Sequence, residues 1–264
     1  NIIAPKGSII NPHEGAPVTM STLHCASEII AAILKACAKA VPERIPAGFG
    51  RYLGPSFYGT DPRNEKYYVG FTFCSLGSGG GKYGQDGYPY MAAFSNYGGV
   101  QAPNNESNEI QYPVLTLNHH LVTDTAGSGE YRGAPGVKYE YQFYGHDQSI
   151  VMWGDGMKIA PYGLEGGKLG SVNQNCLTTK QNGSEILSSK TAPRRIDSGD
   201  SIRIISSGGG GWGDPYKREP QKVYEDFING YISQEKAEKD YGVVLSRAGI
   251  DIENTKKSRN MEGK

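Results

Sequence analysis

Glycine sets the terms for this chain. It occupies 37 of 264 positions, and much of it falls into four clusters: residues 77–81 (GSGGG), 127–133 (GSGEYRG), 163–167 (GLEGG) and 208–215 (GGGGWGDP). A residue without Cβ allows positive φ and close backbone approach, so such clusters make tight turns, pack strands closely, or bring peptide N–H groups against a ligand or partner. With 15 prolines beside them they demand many turns, while 37% hydrophobic and 10% aromatic residues exceed what a disordered chain carries. The expectation is a turn-rich, strand-rich globular protein, long enough for one large domain or two small ones.

Clustered peptide N–H groups suit an anion, yet none of the clusters fits a nucleotide pattern. After Gly77, Lys82 stands where a phosphate-binding loop has its lysine, but Tyr83 follows it in place of Ser or Thr. The run 127–133 misses the third glycine of GxGxxG by one position and leads into strand-like residues. No ATP site is therefore expected in this chain. For each cluster two readings stay open, close packing and turns on one side, a ligand or subunit contact on the other.

Hydrophobic spacing divides the rest. Residues 1–20 carry turn chemistry around Ile9-Ile10 and predict an extended lead-in. Ala26, Ile29, Ile30, Ile33, Leu34, Cys37 and Val41 recur at three and four, which predicts a helix over 21–41, capped by Ser21 or Thr22 and stopped by Pro42. From 67 to 205, β-prone runs (67–74, 114–117, 137–144, 150–153, 202–205) alternate with Gly, Asn, Asp and Pro, as antiparallel sheets require. Beyond Pro215, two short helices are predicted over 221–229 and 233–241, joined at Gly230 and with Ser233 as a cap. The polar tail past Arg247 is expected to be mobile. The fold class expected is α+β: a mainly antiparallel β core with one long N-terminal helix and a short helical C-terminal segment, divided as 1–215 and 216–264.

Lys+Arg and Asp+Glu both number 27, so no net field draws the chain to nucleic acid or an anionic membrane. The longest apolar stretch, 29–34, is bounded by Glu28, Lys35 and Lys39 and is too short to span a bilayer. Cys25, Cys37, Cys74 and Cys176 form no CxxC pair, which predicts reduced thiols and a cytoplasmic location. The chain begins at Asn1 without methionine, basic leader or cleavage pattern, so upstream residues are expected to have been removed or to belong to another chain.

Catalytic signatures are sparse. Strand alternation would send His119 and His120 to opposite faces, which speaks against a shared metal; His24 lies on the predicted helix, and His146-Asp147 reads as a hairpin turn. His13-Glu14 sits in a Pro-flanked loop that could present it. There is no GxSxG elbow and no cysteine in a protease signature. Asp86, Glu109, Asp124 and Asp214 fall in or near turns, where Asp is also simply a good turn former.

The order of these pieces resembles the hydantoinase B family. The resemblance rests on Asn11-Pro12 through Ala16-Pro17, the helix ending in 41–47 (VPERIPA), the loop from Gly79 to Gly87, and 124–133 (DTAGSGEYRG). It continues through 161–167 (PYGLEGG), Ser198-Gly199-Asp200, 208–215, and 230–245 with Asp240-Tyr241-Gly242-Val243-Val244. Ala126 and Ala134-Pro135 depart from the family's usual glycine-rich turn.

The resemblance implies a division of labour. ATP with magnesium is held by a hydantoinase A-type partner, which phosphorylates the substrate, and the B-type part supplies a chamber for the activated species. A divalent metal, zinc or manganese, would be held by the first half of the B-type component, the half that precedes Asn1, and no cofactor is expected on this chain itself. The partners implied are that N-terminal half, the ATP-binding A-type partner and a small-molecule substrate, in a hetero-oligomer. The leading expectation is part of an ATP-dependent cyclic-amide hydrolase; a component of a ketone carboxylase and a noncatalytic assembly component are the alternatives. Within the chamber, Arg132, Asp86 and Asp214 are the catalytic candidates. Arg132 is suited to clamp a phosphate or carboxylate or, alternatively, to make a structural salt bridge. Tyr131, Gly210, Gly211, Trp212 and His13 are the substrate-binding candidates.

Overall fold

The computed structural model describes residues 3–18, 25–71, 77–89 and 104–261. Helix α1 (Ala26–Cys37) and a single 3-10 turn at Pro42–Arg44 precede strands β1 (Leu53–Asp61) and β2 (Lys66–Phe71). Helix α2 (Asn105–Gln111) leads into β3 (Val114–Leu121), β4 (Val137–Phe143), β5 (His146–Gly154), β6 (Gln174–Thr179), β7 (Gly183–Glu185), β8 (Arg194–Ile196) and β9 (Ser201–Ile205). Helices α3 (Pro220–Ile228) and α4 (Gln234–Tyr241), the hairpin β10 (Leu245–Ser246) and β11 (Gly249–Ile250), and helix α5 (Ile252–Met261) follow.

The strands form two antiparallel sheets, ordered β2-β1-β5-β8 and β3-β4-β9-β6-β7. Period-2 alternation assigns each residue a face. In β4, Val137, Tyr139, Tyr141 and Phe143 are buried while Lys138, Glu140 and Gln142 face out. Those inner residues share one core with Leu53, Phe57, Tyr68, Ile150 and Met152 from the other sheet, so the two sheets pack face to face. Polar atoms that enter this core pair within it, as where Tyr68 donates to Gln148 Oε1 at 2.7 Å. His146-Asp147 is not a hairpin turn: β4 and β5 belong to different sheets, and Tyr144-Gly145 is the step between them.

The antiparallel sandwich agrees with the sequence expectation, but the single long helix does not. Helix α1 has 12 residues and stops at Cys37, one of five helices among the described residues. Pro42 explains the early stop, because its ring would collide with the Ala38 carbonyl in continued helix, so the last turn loosens before the proline is reached. Ser21, Thr22 and His24 lie outside the described residues, as does Cys74.

The C-terminal helices form close to the predicted spans, α3 opening on Pro220 without a side-chain cap and α4 on its Ser233 cap. Ser233 accepts from Lys236 N at 3.1 Å to start α4, and Gly242, in the left-handed region at φ 62°, ends it. They bury a core of their own around Val223, Ile232, Ala237, Tyr241 and Val243. The tail differs from expectation: residues 252–261 are helical and tied down, with Arg259 donating to the carbonyls of Tyr241 (3.0 Å) and Arg218 (2.8 Å). Composition alone marks such a segment as polar; its two backbone anchors are what order it.

Candidate functional site

Between the sandwich and the C-terminal helices, the four glycine clusters meet in one layer. At its centre run Gly208, Gly209, Gly210 and Gly211, all buried. A Cβ placed on Gly208 would strike the carbonyl oxygen of Thr125, on Gly209 that of Gly79, on Gly210 that of Tyr162, and on Gly211 that of Ser128. The fourth direction repeats the first, so the segment turns with a period of three residues. That is the period of a polyproline II helix, and not the two of a strand.

Such a helix has no internal hydrogen bonds, so its peptide groups must find partners outside. They do. Gly209 donates to Ala134 O (2.9 Å) and accepts from Gly127 N (2.8 Å); Gly210 donates to Gly48 O (2.8 Å) and accepts from Gly81 N (2.9 Å). Gly211 donates to Lys168 O (2.9 Å) and accepts from Leu164 N (3.0 Å). Each cluster is thus glycine-rich because backbone packs on backbone, with no room for side chains between segments.

Charged residues clamp this layer to α3. Arg218 places two nitrogens on the Asp86 carboxylate (2.7 and 2.8 Å) and also donates to Asp226 Oδ2 at 2.8 Å. Arg132 donates from Nε to Asp226 Oδ1 at 2.7 Å and from its backbone N–H to Asp86 Oδ1 at 2.9 Å. Its guanidinium also bonds the Gly133 carbonyl (3.1 Å) and lies 4.7 Å from the Tyr231 ring centre. Two carboxylates and two guanidiniums balance in a quartet, with Arg132, Arg218 and Asp226 buried and Asp86 at its partly exposed rim. Burial alone would raise the Asp86 pKa, but the bonds and charge of Arg218, with Arg132, hold it below the ordinary carboxylate range. A second clamp joins the layer to α4: Ser128 Oγ and Lys168 Nζ both donate to Asp240, at 2.5 and 2.6 Å, and Lys236 caps the carbonyls of Asp124 and Ala126.

The remaining candidates are placed as follows. Tyr131 and Trp212 exchange a pair of backbone bonds (3.0 and 2.8 Å), and their rings gather with Tyr83 at centroid distances of 5.3–5.9 Å. Asp214 is exposed and accepts from Tyr216 N at 2.9 Å, capping the 3-10 turn at Pro215–Lys217. The exposed His13 packs over Gly7 inside the lead-in segment, and among the described residues no hydrogen bond links it to the glycine layer. His119 is half-buried with its ring 4.4 Å from that of Tyr139. Among the described residues no three His, Cys, Asp or Glu side chains come together as a metal site, and none of the helices is long and apolar enough to cross a membrane.

Arg218 and Asp226 were missed in the sequence, although one signal was present. Asp226 falls three residues after Val223, on the apolar stripe of α3, and a carboxylate there requires a buried partner. Also missed was a cavity of about 690 Å³ beside the layer, lined by Gly48, Phe49, Arg51, Tyr162 and Ser207, with Glu28 at its wall. Arg51 Nε pairs with Glu28 Oε1 at 2.9 Å. Glu28 Oε2 and the Ser207 hydroxyl are buried there with no hydrogen-bond partner among the described residues.

The chain is similar to known proteins along nearly its whole length. The profile of the Hydantoinase B/oxoprolinase family matches residues 1–215. The B-type chain of a putative D-/L-hydantoinase from Pseudomonas sp. (strain NS671) is 33% identical over 262 residues, which are 98% of this chain and 43% of that protein. The crystal structure of ATP-dependent caprolactamase from Pseudomonas jessenii superposes on 98% of this chain and 46% of its own with a TM-score of 0.85 at 26% identity. A nucleotide-free acetone carboxylase structure shares the fold at a TM-score of 0.82 and 21% identity, over 98% of this chain and 40% of that one. The chain therefore spans less than half the length of the relatives it matches. With the family profile covering residues 1–215, well over half of its length, the chain belongs to the hydantoinase B/oxoprolinase family.

Proposed function

We propose that this chain forms part of the B-type component of an ATP-dependent cyclic-amide hydrolase and supplies one wall of the chamber where the activated substrate reacts. The observation that carries the reading is the match of 98% of the chain to an ATP-dependent caprolactamase, together with the likeness to the B-type hydantoinase chain over the same extent. An amide is a poor electrophile because of resonance, and phosphorylating its oxygen makes the carbon open to water. ATP and magnesium belong to an A-type companion in this scheme, since no glycine cluster here has the sequence of a nucleotide loop. A zinc or manganese ion belongs to the part of the B-type component outside this chain's match.

The roles of individual residues follow from their partners. Arg132 and Asp86 act as positioning residues, because their charged groups are shared with Asp226, Gly133 and Arg218; this favours the salt-bridge role of Arg132 over an anion clamp. Gly210 and Gly211 serve as wall, with Tyr131, Trp212 and Tyr83 as an aromatic surface upon it, and Asp214 holds the exit turn of the layer. The cavity at Arg51, Tyr162 and Ser207 has the size of ordinary small-molecule pockets. A lactam N–H suits the free oxygen of Glu28, and its carbonyl suits the Ser207 hydroxyl. His13 lies on another face and would meet substrate only through a companion.

Ketone carboxylation is the second reading, supported by the shared fold of acetone carboxylase. The two separate in one assay. ADP release by the purified assembly is measured with hydantoin, 5-oxoproline or caprolactam, and with acetone or acetophenone plus bicarbonate. Stimulation by a cyclic amide alone is expected. Stimulation by ketone with bicarbonate alone would replace the proposal with the second reading, and stimulation by none would sink both.

A further inference from the structure

Antiparallel sheets with one face in water alternate apolar and polar residues, whereas a sheet covered on both faces is apolar on both. The two sheets of this protein differ in this respect. The five-stranded sheet turns Lys138, Glu140, Gln142 and Arg203 outward, with Leu115 exposed beside Gln142. The four-stranded sheet turns Arg195 outward at its β8 edge but departs from the rule at β2, which reads Tyr67-Tyr68-Val69-Gly70-Phe71, with Tyr68 and Gly70 facing the core. Its outward residues Tyr67, Val69 and Phe71 are 68%, 61% and 44% exposed.

The register extends this face across the sheet. Tyr67, Val69 and Phe71 pair with Thr60, Tyr58 and Ser56 of β1, and Tyr58 and Ser56 pair in turn with Ser149 and Val151 of β5. Beside them lies a groove of about 970 Å³ lined by Ile9, Ile10, Val18, Ile29, Val151 and Trp153. Helix α1 continues the surface, with Ile33 exposed and Lys35 and Glu28 its only charges. Among the described residues a largely apolar surface thus runs from edge strand β2 through Tyr58, Val151 and Trp153 to α1, crossed by the hydroxyls of Ser56, Thr60 and Ser149.

We infer that this surface is the docking face for the portion of a B-type polypeptide that lies outside the region this chain matches. Length selects this occupant: 57% of the hydantoinase relative, the complement of the 43% matched, has no counterpart here. A polypeptide of that size belongs to the same family component and needs a large apolar face to pack on. An ATP-binding companion is the rival occupant, and the crosslinking test distinguishes the two. The inference rests on the B-type reading of the chain and specifies where its companion sits.

The test places a photo-crosslinking benzoylphenylalanine at position 69 in the full protein, within its native assembly, and identifies the captured peptides by mass spectrometry. Captured peptides that align with the unmatched part of the hydantoinase or caprolactamase relatives are expected. Capture of a second copy of residues 1–264, capture of an ATP-binding partner, or no capture at all overturns the inference. As a second measurement, Val69→Asp and Tyr67→Asp should each weaken the assembly at least tenfold in native mass spectrometry, while Gln174→Asp on the outer face of the other sheet should not. Equal effects of all three would also overturn it. If the assembly opens a cyclic amide with ATP while position 69 captures something else, the docking face is wrong and the functional reading stands; the expected capture in an assembly inert toward cyclic amides gives the reverse.

Discussion

Arg132 and Asp226, 94 residues apart in sequence, are joined by a 2.7 Å bond from Nε to Oδ1 that fastens the glycine layer to helix α3. Both side chains are at least nine-tenths buried, and Asp226 serves Arg218 as well. Removing one partner of such a group leaves charge buried without compensation, which costs about 3–5 kcal/mol. Asp226→Ala should therefore lower unfolding stability by about that amount in a denaturant titration. Asp226→Asn, which keeps an acceptor, should lower it less. A loss under about 1 kcal/mol for Asp226→Ala, the level of a surface ion pair, would show that the quartet is not what holds α3 in place.

The glycine layer makes a steric prediction. A methyl group at Gly209 meets the backbone carbonyl of Gly79, which cannot rotate away. Gly209→Ala should be destabilising by about 3 kcal/mol or more, the upper end of overpacking effects. Gly183 is the comparison: a Cβ there meets nothing within 4 Å, although its φ is +72°. Gly183→Ala should cost about 1–2 kcal/mol, the left-handed backbone penalty alone. Thermal unfolding of the two variants side by side checks the difference, and equal losses would contradict backbone-on-backbone packing.

How much of this was legible in the sequence depends on what each residue's signal reports. The β-prone run 137–144 marked β4, and Ser233 marked the start of α4, because those signals are local. Strand β1 was not legible, since Pro55 and Gly59 interrupt its pattern and only pairing with both neighbours defines it. The glycine clusters were visible, but their convergence was not: a segment with a three-residue period and no internal hydrogen bonds is specified by its neighbours. The same holds at the site. Asp86 and Arg132 were singled out, and they do meet, through the Arg132 backbone N–H on Asp86 Oδ1; their side chains are linked only by way of Asp226 and Arg218, the latter marked by no local pattern.

Acid should loosen the two clamps. Burial acts to raise the pKa of Asp86 and of Asp240, but Arg218 at the first and Lys168 with Ser128 at the second outweigh it, so both folded-state values lie below the ordinary range. A depressed carboxylate contributes stability that is complete above its unfolded value of about 3.9 and is lost as pH falls through the folded one. Melting temperature should accordingly drop below roughly pH 4, and Asp86→Asn should flatten that drop while lowering stability at neutral pH. An unchanged acid slope in Asp86→Asn would count against the Arg218 clamp.

Ser207 separates stability from binding. Its hydroxyl is buried without a partner among the described residues, and an unpaired buried polar group costs about 1–3 kcal/mol. Ser207→Ala should leave the melting temperature unchanged or raised. In the assembly it should raise KM for a cyclic amide by roughly three- to tenfold, the worth of one neutral hydrogen bond. A lowered melting temperature with unchanged KM would remove the cavity from the chamber.

On the proposed reading this chain is one wall of a chamber whose nucleotide chemistry belongs to a companion. The most direct measurement is ring-opened product, quantified by mass spectrometry after incubating caprolactam, hydantoin or 5-oxoproline with ATP and three preparations: the 264-residue chain, the companion chains, and all together. Product only in the complete mixture, and only with ATP, is the predicted result. Ring opening or carboxylation by the 264-residue chain unaided would contradict it.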